Sequence, residues 1–309
     1  MSLQRAQALR PTSLDPAVLD RLSKLSLVAR TVVEGFMAGG HVSPHRGSSV
    51  EFAQHREYVP GDDLRFLDEK IYAKSNRLVV KEFVEETNFA CHILVDCSAS
   101  MRYGSSRWSK LDYARWAAAA LAYLVLNQRD TAGLVLFDEQ VRDKVPPHNG
   151  AAQAASILAS LERAEAQGET GVGDVLDWIG TRLRHKGIVV ILSDFFDEPQ
   201  HILEGTRRLR IAGHEPILMQ VVDPRELDFD FDGHLRLDAL EGAERMKVDA
   251  KSLRKAYREE VEAHAAALAH GANSLGIDLV TLRTDAPLDV VLSTYLARRQ
   301  ARARGGARG

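Results

Sequence analysis

The stretch His92 to Met101, His-Ile-Leu-Val-Asp-Cys-Ser-Ala-Ser-Met, constrains the chain more than any other. Ile93, Leu94 and Val95 form a continuous apolar run, the pattern of a central parallel strand covered on both faces. Asp96 ends that run, and Ser98 and Ser100 fall on the turn that follows. One carboxylate and two hydroxyls therefore meet where an open α/β sheet binds its ligands. Hard oxygen donors of this kind suit Mg²⁺ or Mn²⁺.

A second segment repeats the theme. Gly187-Ile-Val-Val-Ile-Leu-Ser-Asp194 is again an apolar strand ending in Asp. Between the two lies the loop Gly168-Glu-Thr-Gly-Val-Gly173, whose Thr170 offers a third hydroxyl. If the strands ending at Asp96 and Asp194 flank the switch in winding direction, five oxygen side chains converge on one crevice: Asp96, Ser98, Ser100, Thr170 and Asp194.

Strands and helices alternate from Phe89 onward. Helical patterns cover Lys110 to Asn127, Ala151 to Ala164, Val175 to Leu183, Pro199 to Ile211 and a long stretch through Leu253, Tyr257, Val261 and Leu268, with a last helix from Leu288 to Leu296. Strand patterns cover Thr131 to Phe137, Val141 to Val145 with Pro146-Pro147 as a stop, Ile217 to Val222, and Ile277 to Leu282. The fold class expected is α/β, a doubly wound and mostly parallel sheet, Rossmann-like in layout, preceded by a helical and extended N-terminal segment. The domain reading is a flexible leader over 1–14, an N-terminal segment over 15–85 packed on the main domain, a main domain over 86–298 with an insertion near 225–248, and a disordered basic tail over 299–309.

Within the N-terminal segment, Val18, Leu19, Leu22, Leu25, Val28 and Val32/Val33 recur at helical spacing until Gly39-Gly40. Leu78 to Val84 reads as a short strand. Pro60-Gly61 suits the central positions of a type II turn, and the Arg and Asp residues around it can pair with one another.

With 45% hydrophobic and 27% charged residues among 309, the chain has the composition of an ordinary globular protein. A formal net charge of −3 argues against a nucleic-acid surface spread over the fold. No run of about eighteen apolar residues appears, so no membrane insertion is expected. Cys91 and Cys97 lie on one predicted strand, roughly 20 Å apart and beyond disulfide reach. Reduced thiols and a cytoplasmic location follow.

Other chemistries fit poorly. A haloacid dehalogenase-type Mg²⁺-dependent phosphohydrolase on a similar sheet needs a second Asp two positions after the first, where Ser98 stands. The Gly168 to Gly173 loop lacks the following Lys-Ser/Thr of a phosphate loop. His41, His45 and His55 have no zinc-ligand spacing. By themselves, Ser98 and Ser100 could simply cap a helix.

The pattern Asp96-x-Ser98-x-Ser100, with Thr170 on a second loop and Asp194 on a third, resembles the metal-ion-dependent adhesion site of von Willebrand factor A domains. That resemblance implies one Mg²⁺ or Mn²⁺, held directly by the hydroxyls and often through water by the Asp residues. One coordination position stays open for a partner's Asp or Glu. A second resemblance covers residues 20 to 300. Arg56-x-Tyr58-x-Pro60-Gly61-Asp62-Asp63-x-Arg65, the stretch ending in Val80-Lys81-Glu82-Phe83, the Asp96 to Met101 segment and the close over Thr284 to Leu296 are similar to the bacterial family called domain of unknown function 58. The usual Asp-Trp after the box reads Leu67-Asp68-Glu69 here. The resemblance implies a non-enzymatic adaptor or co-chaperone that works with a MoxR-type AAA+ ATPase on a client protein.

Overall fold

The computed structural model describes residues 25–38, 50–59, 68, 71–72, 75, 77–85, 90–183, 186–229, 234–238 and 245–306. Two compact units emerge, one of residues 44–89 and one comprising the rest of the chain. The helix Leu25–Ala38 (α1) belongs to the larger unit, so the expected 15–85 segment does not hold together as one piece. In the smaller unit, Val50–Glu57 (β1) pairs antiparallel with Val79–Glu85 (β2) across a bulge between Phe52 and Gln54. Of the Arg56 to Arg65 box, only Arg56 and Tyr58 lie among the described residues; Pro60, Gly61, Asp62, Asp63 and Arg65 lie outside them.

The larger unit is built on six strands: Ala90–Asp96 (β3), Thr131–Phe137 (β4), Val141–His148 (β5), Gly187–Ser193 (β6), Glu215–Val222 (β7) and, after a small hairpin, Asp278–Arg283 (β10). Their order across the sheet is β10-β7-β6-β3-β4-β5, with every pair parallel except β4 and β5. This is the doubly wound, mostly parallel sheet expected. The chain winds outward from β3 to β4, then returns to the other side of β3 and proceeds through β6, β7 and β10. The switch point therefore lies between β3 and β6, and the crevice it opens sits at their C-terminal ends.

Each strand looks as its position requires. All seven residues of β3 are buried, whereas β5 at the edge alternates half-buried and exposed. That edge position corrects the expected stop at Pro146-Pro147. The strand runs on to His148, because an edge prolyl nitrogen needs no ladder partner and a register shift absorbs the irregularity.

Helices cover both faces. Lys110–Asn127 (α2), Ala151–Arg163 (α3), α1 and Leu288–Gly306 (α8) contribute to one apolar cluster. Val172–Gly180 (α4), Pro199–Ile211 (α5) and Ala250–Ser274 (α7) contribute to the other. The first cluster is seated on Ala114, Ala117 and Ala118, none of them exposed, whose small side chains let α2 lie close to the sheet. A short helix Pro224–Asp228 (α6) follows β7, and the insertion forms the hairpin His234–Asp238 (β8) and Arg245–Asp249 (β9).

The C-terminus departs from expectation. The stretch from 299 is not a disordered tail as far as Gly306, since α8 continues through it. Arg299 anchors the helix to the sheet, bonding Glu215 at 2.6 Å and Asp278 at 3.4 Å. Composition alone suggested solvation, but two acids on neighbouring strands supply the missing charge.

Candidate metal centre

Five strands of the sheet deliver an aspartate at or just past their C-terminal ends: Asp96 after β3, Asp138 after β4, Asp194 after β6, Asp223 after β7 and Asp285 after β10. The backbone and the neighbouring cations treat them differently, and that difference locates the site.

Asp96 is fully buried. Its Oδ1 accepts from the Ser98 amide at 2.8 Å, which turns the chain sharply out of β3. Its Oδ2 accepts from the Ser193 hydroxyl at 2.5 Å. Ser193 is the last residue of β6, and its Oγ also accepts from the Phe195 amide at 2.9 Å. The hydroxyl thus ties the two strand ends together. Sequence reading missed it, although Ser193 sits beside an aspartate already singled out.

Ser98 and Ser100 are buried, with their hydroxyls 3.0 Å apart. Ser98 opens the 3₁₀ turn Ala99–Arg102, yet its side chain makes no capping bond to that turn. The simple capping explanation therefore fails for Ser98, and both hydroxyl oxygens keep lone pairs for another ligand. The loop that carries Thr170 is fastened beside this turn by two backbone bonds. Gln167 N donates to Cys97 O at 2.8 Å, and Ala99 N donates to Gly168 O at 2.9 Å. Gly168 has φ +80°, and a Cβ there would stand 2.6 Å from Asp138 Oδ2, so the loop needs glycine at this point. Thr170 itself is half-buried, just ahead of α4.

Asp194 is also buried. Its Oδ1 accepts from the Phe196 amide at 3.2 Å, and its Oδ2 accepts from Lys110 Nζ at 2.8 Å. Between them, Phe195 holds a left-handed φ of 57°, an unfavourable conformation for a bulky residue. The bonds from its amide and from His264 Nε2 to its carbonyl, 3.0 Å, stabilise it. Strain at a strand end beside clustered polar groups is a common mark of a working site.

Lys110 is the residue sequence reading most clearly missed. It begins α2, is completely buried, and also donates to Glu226 Oε1 at 2.6 Å. Tyr103 and Phe196 present ring faces 5.8 and 5.2 Å from its Nζ. Burial alone would lower its pKa, but Asp194 and Glu226 outweigh that and hold the ammonium charged. No sequence motif announces it, since a lysine at the first turn of a helix is ordinarily a surface residue.

Among the described residues the charges at this point do not balance: Asp194 and Glu226 share the Lys110 ammonium, and no cation is paired with Asp96. Burial, followed by repulsion from Asp194, pushes the Asp96 carboxyl up to about 7. A divalent cation would offset the remaining charge, and the donor set of carboxylates and hydroxyls without thiol or imidazole is that of a hard metal. Asp96, Ser98, Ser100, Thr170 and Asp194 fit such an ion in donor chemistry. Among the described residues no group of three or more His, Cys, Asp and Glu is placed to hold a metal.

The remaining elements are inert by comparison. Cys91 and Cys97 are buried free thiols, each pushed up to about 12, mainly by burial. Among the described residues no helix is long and apolar enough to cross a membrane.

Residues 54–267 match the model of the family described as Protein of unknown function DUF58, and the chain belongs to that family. An uncharacterized protein of Mycobacterium tuberculosis strain H37Rv is 27% identical over 296 residues, covering 94% of this chain and 93% of its own. An uncharacterized protein of Mycobacterium avium is 30% identical over 149 residues, 46% of this chain and 85% of its own. Among solved structures, similar chains include BatB from Bacteroides thetaiotaomicron (12% identity, TM-score 0.43, covering 68% of this chain and 98% of that one). The von Willebrand factor A domain of SpRpn10 is another (11% identity, TM-score 0.42, covering 67% and 94%).

Proposed function

We propose that this member of the DUF58 family is a metal-dependent protein-interaction module of the von Willebrand factor A type, acting in the cytoplasm as an adaptor or co-chaperone and not as an enzyme. Asp96, Ser98, Ser100, Thr170 and Asp194 would hold one Mg²⁺ or Mn²⁺. The ion supplies a Lewis-acidic position that takes an Asp or Glu carboxylate from a client protein. The observation that carries this reading is the pair of buried hydroxyls, Ser98 and Ser100, standing beside the buried Asp96 carboxylate, which no cation meets among the described residues.

Each residue has a task in that scheme. Ser193 and the Ser98 amide fix the Asp96 carboxylate in one orientation. The two bonds between the Cys97–Ala99 turn and residues 167 and 168 hold the Thr170 loop next to the serines. Lys110 keeps part of the Asp194 charge to itself, which leaves a bound cation under-neutralised and favours an incoming carboxylate. A MoxR-type AAA+ ATPase is the proposed working partner, on the strength of the family resemblance. A phosphohydrolase is less well supported, because no second carboxylate stands at position 98.

The test is Mn²⁺ binding by calorimetry or electron paramagnetic resonance, together with affinity capture from native cytosol in Mg²⁺ or EDTA. Ser98→Ala/Ser100→Ala should weaken metal binding by about 100-fold and release the captured ATPase or client, as EDTA should. Capture that survives both changes would overturn the metal-dependent reading. Metal-dependent phosphoester hydrolysis lost in Asp96→Ala would replace it with the enzymatic one.

A further inference from the structure

Beside Asp194 the larger unit contains a cavity of about 530 Å³, and neither Ser98 nor Ser100 lines it. The volume falls in the range of sites that hold a compact side chain or small ligand. Its walls come from β7 and α7: Val222, Tyr257, Val261 and Ala265 are apolar over the surface they offer, and Phe196 stands at the rim, 53% exposed. Phe196 stacks on His264 with ring centroids 6.4 Å apart and 19° between planes, so the rim is a prebuilt aromatic shelf.

The charge on this cavity is of one sign. Asp194, Asp197, Glu198, Glu226 and Glu260 all line it, and no Lys or Arg does. Asp194 and Glu226 are engaged by Lys110. Asp197 accepts from the Gly173 and Glu198 amides. Glu198 and Glu260 are exposed and have no basic partner among the described residues. An apolar shaft with aromatic faces and unpaired carboxylates at its mouth is complementary to a long aliphatic stem with a planar cation at its end.

We infer that this cavity receives an arginine side chain of a protein partner. Arginine satisfies the free features at once: its methylenes lie against Val261 and Ala265, past the rim ring of Phe196 that His264 and Lys110 already engage, and Glu198 and Glu260 accept its N–H groups. Because Asp194 borders both the cavity and the proposed metal centre, the preferred partner segment carries an acidic residue and an arginine close together. The inference rests on reading the domain as a protein-binding module, but the arginine pocket itself does not require the metal.

The experiment titrates the full chain with a blocked heptapeptide, Ala-Ala-Ser-Arg-Ser-Ala-Ala, following the amide resonances of Phe196 and His264. Analogues carry norleucine or Glu in place of Arg. The Arg peptide should bind saturably and roughly tenfold more tightly than the norleucine peptide, with no binding of the Glu peptide. Glu198→Gln/Glu260→Gln, two exposed positions that leave the core untouched, should weaken it by about tenfold. Ala265→Trp, which fills the shaft, should abolish it. Binding in EDTA and in Ser98→Ala/Ser100→Ala should be unchanged, which separates failure of the pocket from failure of the metal centre. Equal binding of norleucine and Arg, or indifference to the Glu198→Gln/Glu260→Gln change, would overturn the inference. So would self-association of the chain that is lost in Arg302→Glu/Arg304→Glu/Arg308→Glu, since the pocket would then belong to the C-terminus of a second copy.

Discussion

Asp96 and Asp138 end neighbouring parallel strands, and both are fully buried. The chain turns identically after each: Oδ1 accepts the amide two residues on, from Ser98 at 2.8 Å in one case and from Gln140 at 3.0 Å in the other. The second oxygen separates them. Asp138 Oδ2 bonds the Arg142 guanidinium, a cation four residues away on the adjoining strand, whereas Asp96 Oδ2 receives the neutral hydroxyl of Ser193 and, among the described residues, the carboxyl meets no cation. One strand end is closed by a cation of its own sequence, and the other, among the described residues, is not. Local backbone geometry thus does not distinguish a structural aspartate from a candidate ligand; the charge that reaches it does.

Lys110 offers the sharpest way to probe that contrast, because it is the one cation bonded to Asp194 among the described residues. Lys110→Met leaves the buried carboxylates of Asp194 and Glu226 without a counter-charge, and we expect a loss of about 3–5 kcal/mol in urea unfolding. Mg²⁺ at millimolar concentration should recover part of that loss in Lys110→Met and more than it adds to the wild type. Failure of the metal to compensate would mean that the cation does not reach Asp194, and the open end would no longer differ in kind from the closed one.

Arg142→Leu examines the closed end. Its guanidinium is 38% exposed, so water offsets much of the loss, and about 1 kcal/mol is expected. Mn²⁺ affinity should not change. A new metal site at Asp138 in this variant, detected by paramagnetic broadening, would show that removing a cation is sufficient to open a strand end, even without the paired serines.

The smallest effect is expected at Asp285, an exposed strand end held by Arg283 through bonds of 3.0 Å at both Nε and Nη2. The side-chain bond from Arg283 keeps the Asp285 carboxyl below its ordinary range. Its folded-state value is therefore the lower one, so its contribution is present above the unfolded value near 4 and is lost as pH falls through the folded value. Both side chains are about half exposed, and the Arg283→Ala variant should lose only a few tenths of a kcal/mol at neutral pH, with the difference from wild type vanishing in acid. A larger loss would place this outer end among the structurally important ones.

Much of the site was legible because its parts are local. Asp96, Ser98 and Ser100 lie within five residues, and their spacing shows itself without any tertiary information. Asp194 was found by the same rule, an apolar run ending in Asp. Lys110 and Ser193 were not legible in their roles, because each acts across the fold: 84 residues separate Lys110 from Asp194, and 97 separate Ser193 from Asp96. The helix running through Arg299, Arg302 and Arg304 was misread for the same reason, since Glu215 lies far from Arg299 in sequence.

The strand Val50–Glu57, the run of β5 to His148 and the helix through Arg304 were not legible in the sequence. The sequence by itself determined most of the strands and helices of the main domain, that its sheet is mostly parallel, and which residues carry oxygen to the strand ends. Those features follow from apolar periodicity and short-range turn chemistry, which any chain with this order of residues expresses locally. Only the tertiary structure decided which strands are neighbours, and hence that Asp96 and Asp194 face one crevice while Asp138 is sealed by Arg142. It also decided that one lysine is buried between two carboxylates and that a cavity opens beside Asp194. The reason is that charge balance and cavity shape depend on residues brought together from distant parts of the chain, and no local pattern encodes that sum.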